Sequence, residues 1–233
     1  MKTRMYDGVT TWNPFKGCEF DCTYCTPTFK LQAKRQKHSC NDCYQYVPHE
    51  HPERLNQIPS TETIFVCGNA DISFCDPAYT EKIINSINKH NKSKPGKTFY
   101  FQSKRPEYFE PFLDRFPDNV ILLTTLETNR DQGYDKISKA PKPSERFGQL
   151  RSLKYLRKVV TVEPVMDFDL DIFSGWITSL EPEYVWLGYN SRPKQIDIPE
   201  PSKDKVKKLV EILESKNIDI RFKDMRNYKQ QCS

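Results

Sequence analysis

The 233-residue sequence contains no run of eighteen apolar residues, so no membrane-spanning helix is expected. Its first residues, MKTRMYDGVTTW, lack the apolar stretch of a secretory signal, and a cytoplasmic location is the expectation. Apolar content is low, 36% hydrophobic with a mean hydropathy of -0.76. The apolar residues nevertheless gather in short runs between polar connections, which suits α/β folding and argues against disorder. No internal repeat and no long low-complexity linker is present, so residues 1–233 read as one domain, long enough to bury a core. Charge of neither sign dominates. The formal net charge is +5, which permits an anionic partner such as nucleic acid without requiring one, and a solvated basic surface explains it equally.

What the chain does hold is a rhythm of short apolar runs and helical stretches. Strands are predicted at 9–12, 63–67, 98–102, 120–126, 159–163 and 184–188, each rich in β-branched or aromatic residues, with a closing strand at 218–222. Between them, Asp76-Pro77 is an N-cap followed by Pro at the first helical position, ahead of Ile83, Ile84 and Ile87. Pro106 opens a helix carrying Phe109, Phe112, Leu113 and Phe116. Ser144 is a candidate cap for a face of Phe147, Leu150, Leu153 and Leu156. Asp169 or Asp171 starts a helix through Phe173 and Trp176, and Ser202 precedes Val206, Leu209, Val210 and Leu213 at helical spacing. Six strand–helix units in alternation predict a parallel sheet, either doubly wound or a six-unit partial barrel. Both place ligands at the C-terminal ends of the strands.

Eight cysteines stand out against this background. Structural disulfides are disfavoured in a reducing compartment, so clustered cysteines point to metal or to reactivity. Cys18, Cys22 and Cys25, spaced C-x3-C-x2-C, fall in the loop after the first strand, among Trp12, Phe20 and Tyr24. Zinc fingers use paired ligand doublets, and this is not that pattern. Three thiolates in one loop can hold three corners of a 4Fe–4S cluster and leave the fourth iron open.

The segment GCEFDCTYC resembles the signature of the radical S-adenosylmethionine superfamily, with Tyr24 in its aromatic slot. The resemblance implies an α/β partial (β/α)6 barrel. It also implies a 4Fe–4S cluster on Cys18, Cys22 and Cys25 that reductively cleaves S-adenosylmethionine, giving a 5′-deoxyadenosyl radical that abstracts hydrogen from a substrate. An electron donor of reductase or flavodoxin type goes with that chemistry. The remaining cofactor contacts are then expected at later strand ends. These are Gly68, Asn69 and Asp71 in CGNADISF, Ser103, Lys104 and Arg105 in SKRPE, Glu127 in LETN, Glu163 in VEPV, and Tyr189, Asn190 and Arg192 in WLGYNSRP. Ser103, Lys104 and Arg105 are candidate partners for the carboxylate and Glu127 for ribose hydroxyls, while Tyr24 is a candidate adenine contact.

The segments TWNPFKGC, HPERL, SKRPE, VEPV and WLGYNS are similar to a phage and bacterial radical-SAM-like family encoded beside a three-cysteine-motif partner protein. The layout more distantly resembles spore photoproduct lyase, which repairs a thymine dimer lesion in DNA. DNA or RNA is the substrate or partner this raises, and Cys75 becomes a candidate hydrogen-atom donor. A second group, His38, Cys40, Cys43, His49 and His51, forms a possible Cys/His insertion at 38–51 for zinc or a second cluster. Cys67 reads as core and Cys232 as incidental. The competing readings are a non-enzymatic zinc protein that binds nucleic acid, with a later cysteine closing the first trio, and a ferredoxin-like redox module.

Overall fold

The computed structural model describes residues 8–223; Cys232 lies outside the described residues. β1 (Val9–Trp12) is the first strand of the described residues. A short antiparallel pair follows, β2 (Phe15–Lys16) with β3 (His49–Glu50), and between its strands the chain passes through α1 (Leu31–Ala33) and α2 (Asn41–Gln45). Then come β4 (Thr63–Val66), α3 (Pro77–Ser93), β5 (Thr98–Gln102), β6 (Val120–Thr125), α4 (Pro143–Ser152), β7 (Lys158–Val162), α5 (Leu170–Ser179), β8 (Tyr184–Gly188), α6 (Lys203–Ser215) and β9 (Asp219–Lys223). Seven strands pair in parallel in the order β1-β4-β5-β6-β7-β8-β9. That order never reverses, which excludes a doubly wound sheet with its switch point. The sheet curls into a partial barrel, one of the two arrangements that the alternation of strands and helices allows.

Alternation along the strands separates two layers. Ile64, Val66, Phe99, Phe101, Val120, Leu122, Val160 and Val162 face the helices, where Ile83, Ile84 and Ile87 of α3, Phe173 and Ile177 of α5 and Leu209 of α6 bury against them. Phe65, Tyr100, Ile121, Leu123, Val159 and Tyr184 form a second cluster on the other face. Toward the strand ends that face turns polar: Gln102 donates to Thr125 Oγ1 at 2.7 Å, and Thr161 meets Thr125 at 2.9 Å. The expected cap at Asp76 forms, accepting from the Ala78 and Tyr79 N–H groups, and Ser202 caps α6 by accepting from Lys205 N–H.

Three local expectations change. The β5–β6 connection is a 3-10 helix over Pro106–Arg115, because Pro111 removes an N–H from its middle. α4 starts at Pro143, with the Lys142 N–H bonded to Glu145 at 2.7 Å, so Ser144 is not its cap and instead donates to Asp131. The helix ends at Ser152, and Leu156 is 95% exposed rather than on an apolar face.

Gly17 sets the approach of the insertion to the cysteine loop. Its φ is +95°, and a Cβ there would lie 2.1 Å from the Val47 carbonyl oxygen. Gly17→Ala is therefore expected to lower stability by about 2 kcal/mol, from backbone strain plus displacement of Val47. Denaturant unfolding measures the change; an unaltered midpoint would contradict the packing described.

Candidate active site

The cysteine loop begins right after β2 and is tied to residues 137–140 from the far side of the mouth. Thr23 N–H donates to the Ile137 carbonyl at 2.9 Å, Lys139 N–H to the Phe20 carbonyl at 2.7 Å, and Cys22 Sγ lies 3.1 Å from Ser138 Oγ. Phe20 is buried, with its ring centroid 4.7 Å from that of Phe74. Cys22, Cys18, Cys25 and Tyr24 pack in the same cluster. A hydrogen bond from Cys25 draws the Cys22 thiol toward the thiolate, helped by the positive charge of Lys104. The same bond, with burial, pushes Cys25 up. Burial and Asp71 push Cys18 up. A cavity of about 160 Å³ opens beside this loop, bordered among others by Gly17, Phe29, Tyr46 and Asn69.

Glu127, just past β6, is completely buried. Its Oε1 accepts from Tyr24 Oη at 2.5 Å, from Tyr134 Oη at 3.1 Å and from Lys104 Nζ. Arg146 Nη2 lies 2.8 Å from Oε2, an ion pair off the hydrogen-bonding line, while its Nη1 donates to the Thr125 carbonyl. Burial alone would raise the Glu127 pKa, but Arg146 and Lys104 outweigh it and bring it down to about 2. Burial likewise works against the Lys104 ammonium, and Glu127 more than compensates, raising it above its ordinary value. Lys104 Nζ also contacts Tyr24 Oη and lies 4.8 Å from that ring's centroid. Tyr24, Lys104 and Glu127, expected separately from three strand ends, thus meet.

Asp71 joins two further strand ends. Its Oδ1 accepts from Ser73 N–H at 3.0 Å, Ser73 Oγ at 2.8 Å and Ser103 Oγ at 2.6 Å, and its Oδ2 from Lys104 N–H at 2.7 Å. Ser103 is fully buried and accepts from Arg105 N–H at 2.9 Å, and Arg105 lies over the Phe20 and Phe74 rings. Gly68 is needed for packing, since a Cβ would come within 2.8 Å of Phe65 and Thr11 side-chain atoms. Asn69 carries backbone contacts, its N–H bonded to Asn13 Oδ1 and its carbonyl accepting from Gly17 N–H.

Other predicted residues stand apart. Glu163 pairs with Lys223 of β9. Asn190 is buried and holds its own loop through the Ile196 carbonyl and Arg192 N–H, while Tyr189 is buried in the helix-side core. Cys75 is buried with Cys67, Tyr79 and Thr80, and burial pushes its thiol up to about 12. Those neighbours belong to the core rather than to the Tyr24–Lys104–Glu127 cluster. From the second group, Cys40, Cys43, His49 and His51 converge so that their ligand atoms all lie within 4.8 Å of one another, while His38 is exposed and outside the set.

Sequence reasoning passed over Arg146, Tyr134, Ser138 and Tyr46. Arg146 carried a signal: with Pro143 and Leu150 it occupies the buried face of α4, where an unpaired cation would be costly. Tyr46, at φ +62°, is influenced electrically by Cys18, Cys25, Cys22 and Asp71, and no spacing in the sequence announces that.

No family model and no curated protein matches the chain. Solved structures do. A spore photoproduct lyase mutant with dinucleoside spore photoproduct superposes with a TM-score of 0.62 at 12% identity, over 91% of this chain and 76% of that one. A radical SAM methyltransferase from Sphaerobacter thermophilus gives 0.60 at 14% identity, over 95% and 67%. Streptococcus suis SuiB bound to precursor peptide SuiA gives 0.61 at 6% identity, over 97% and 52%. At these identities the likeness establishes the fold: this chain shares its partial barrel with these three proteins. Among the described residues no helix is long and apolar enough to cross a membrane.

The buried carboxylate yields a pH prediction. Because the folded pKa of Glu127 lies below its ordinary 4.5, the group contributes stability above pH 4.5 and loses it as pH falls toward about 2. Glu127→Gln is expected to cost about 3–5 kcal/mol at pH 7, since it leaves two buried cations without their counter-ion. The gap to wild type should narrow below pH 4.5 in denaturant titrations. A gap that stays constant down to pH 3 would refute the ion-pair account.

Proposed function

We propose that this chain is a radical S-adenosylmethionine enzyme. The observation that carries the reading is an open thiol trio at the mouth of a partial barrel. Among the described residues, Cys40 and Cys43 are gathered with two histidines and Cys67 and Cys75 lie in the core, so Cys18, Cys22 and Cys25 have no fourth cysteine to close a site. This also weighs against the zinc-protein and ferredoxin-like readings, both of which need that fourth ligand. The donor set fits a 4Fe–4S cluster with one iron left for the amino and carboxylate groups of S-adenosylmethionine. When bound, the pair supplies one-electron cleavage of the sulfonium and hydrogen-atom abstraction, with the electron coming from a reductase or flavodoxin-type donor.

In this reading the chain's own residues position and shield. Lys104 presents a permanent cation next to the thiols, and Tyr24 and Glu127 hold it there. Asp71 fixes the Ser103–Lys104 backbone that aims it. Phe20, Phe74 and Arg105 cover one side of the loop. Gly68 and Asn69 support the adjoining end of β4 through packing and backbone contacts.

For the substrate we favour a nucleic acid or nucleotide. Support comes from the spore photoproduct lyase neighbour, solved with a dinucleoside, from the mild positive charge and from the short matches to the phage family. Those matches also raise a three-cysteine-motif protein as partner. A peptide substrate is the second reading, favoured by the SuiB likeness.

Anaerobically reconstituted protein is expected to bind about four iron and four sulfide per chain and to form 5′-deoxyadenosine under reduction. Replacing Cys18, Cys22 or Cys25 with Ala should abolish both. Reconstituted wild type that holds no cluster absorbance and makes no 5′-deoxyadenosine would end the proposal. Oligonucleotide binding that weakens with salt would support the favoured substrate; stimulation of cleavage by a peptide alone would favour the second.

A further inference from the structure

We propose that Cys40, Cys43, His49 and His51 form a closed, structural zinc site that clamps the insertion onto the cysteine loop. Four ligands are the full complement of a structural zinc centre, and two thiols with two imidazoles are one of its standard donor sets. His49 Nε2 lies 3.5 Å from Cys40 Sγ and 3.2 Å from Cys43 Sγ, His51 Nε2 lies 3.2 Å from Cys43 Sγ, and the two Nε2 atoms are 2.9 Å apart. Ligands to one ion stand at such separations. A two-iron cluster spreads its ligands over two metals, and the common 4.8 Å envelope is too tight for that.

The imidazoles supply a second, independent observation. His49 Nδ1 faces the Val47 carbonyl at 2.8 Å, and His51 Nδ1 faces the Glu53 carboxylate at 2.9 Å. Both partners are acceptors, so each Nδ1 carries the proton and each Nε2 presents a lone pair. The two Nε2 lone pairs then face each other at 2.9 Å with no proton between them. A cation at their centre removes that repulsion, and outer-shell acceptors of this kind are the usual orienting partners of metal-bound histidines. Local backbone serves the same end: Cys40 is the N-cap of α2, and its Sγ accepts from Cys43 N–H at 3.4 Å.

The placement gives the ion its role. His49 lies in β3, paired with β2, and Cys18 N–H donates to the Tyr46 carbonyl at 3.4 Å. Val47 closes on Gly17. Zinc thereby fixes Tyr46 against the three loop thiols. It takes no part in the chemistry, because all four of its positions are filled by protein.

The test uses full-length protein produced with zinc, in wild type and in a variant with Cys18, Cys22 and Cys25 all replaced by Ala. Each should retain about one zinc per chain after dialysis, and Co²⁺ exchanged into the triple variant should give the intense visible bands of tetrahedral thiolate coordination. Cys43→Ser should lose the metal, and His49→Asn serves if that variant does not fold. A chelator strong enough to strip the ion should lower the melting temperature of the triple variant. Zinc that disappears with the trio, protein that binds none, or an octahedral cobalt spectrum would each overturn the proposal.

Discussion

The carboxylate of Glu127 is the constraint on which the mouth of this barrel is built. A charge with no exposure is costly, several kcal/mol even after relaxation, unless partners surround it. Here every partner comes from a different piece of chain: Lys104 from the end of β5, Arg146 from α4, Tyr24 from the cysteine loop and Tyr134 from the turn after β6. Shifting any of these segments would take a partner from a buried ion. The charges converging on this point therefore fix the cysteine loop with respect to the ends of β5 and β6 and to α4, a task hydrophobic contact performs less specifically because it is non-directional. Two cations meet one anion, so the cluster retains a surplus positive charge. That surplus is felt at Cys18, Cys22 and Cys25, where Lys104 favours the thiolate in each case.

Asp71 extends the same logic to the next strand end. Four donors on its two oxygens make it a bracket between the β4 and β5 loops. The bracket explains how a backbone segment as short as Ser103-Lys104 can aim a long, flexible lysine with so little freedom. Rotamer entropy opposes fixing such a side chain, and here it is offset at both ends, by Asp71 at the backbone and by Glu127 and Tyr24 at the ammonium.

Most of the architecture was legible because it rests on local patterns. Val9–Trp12, Thr98–Gln102 and Tyr184–Gly188 are strands at the bounds their β-branched and aromatic content predicts, and the caps at Asp76 and Ser202 follow from side-chain chemistry within one turn. The failures were local rules overridden nearby. Leu156 continued a helical spacing beyond the point where the helix stops, and Pro111 converted an expected helix to a tighter one. The site was legible one residue at a time and not as a network. Tyr24, Lys104 and Glu127 each stood out, but their meeting depends on contacts 23 to 103 residues apart in sequence. Tyr134 owes its importance entirely to that meeting, so no pattern around it could reveal it, while Arg146 showed only as a cation on the buried face of α4.

Cysteine type alone does not distinguish the chain's two thiol groups; coordination number does. The group at Cys40 and Cys43 gathers two histidines whose outer nitrogens are already committed to Val47 and Glu53. The trio at Cys18, Cys22 and Cys25 recruits none among the described residues and lies instead beside a cation and an aromatic ring. A closed site holds shape and an open one holds reactants. Here the two are coupled through few atoms: Tyr46 follows Cys43 by three residues, its carbonyl takes the Cys18 N–H, and its side chain feels all three loop thiols. A rigid insertion at that point restricts how the trio can open.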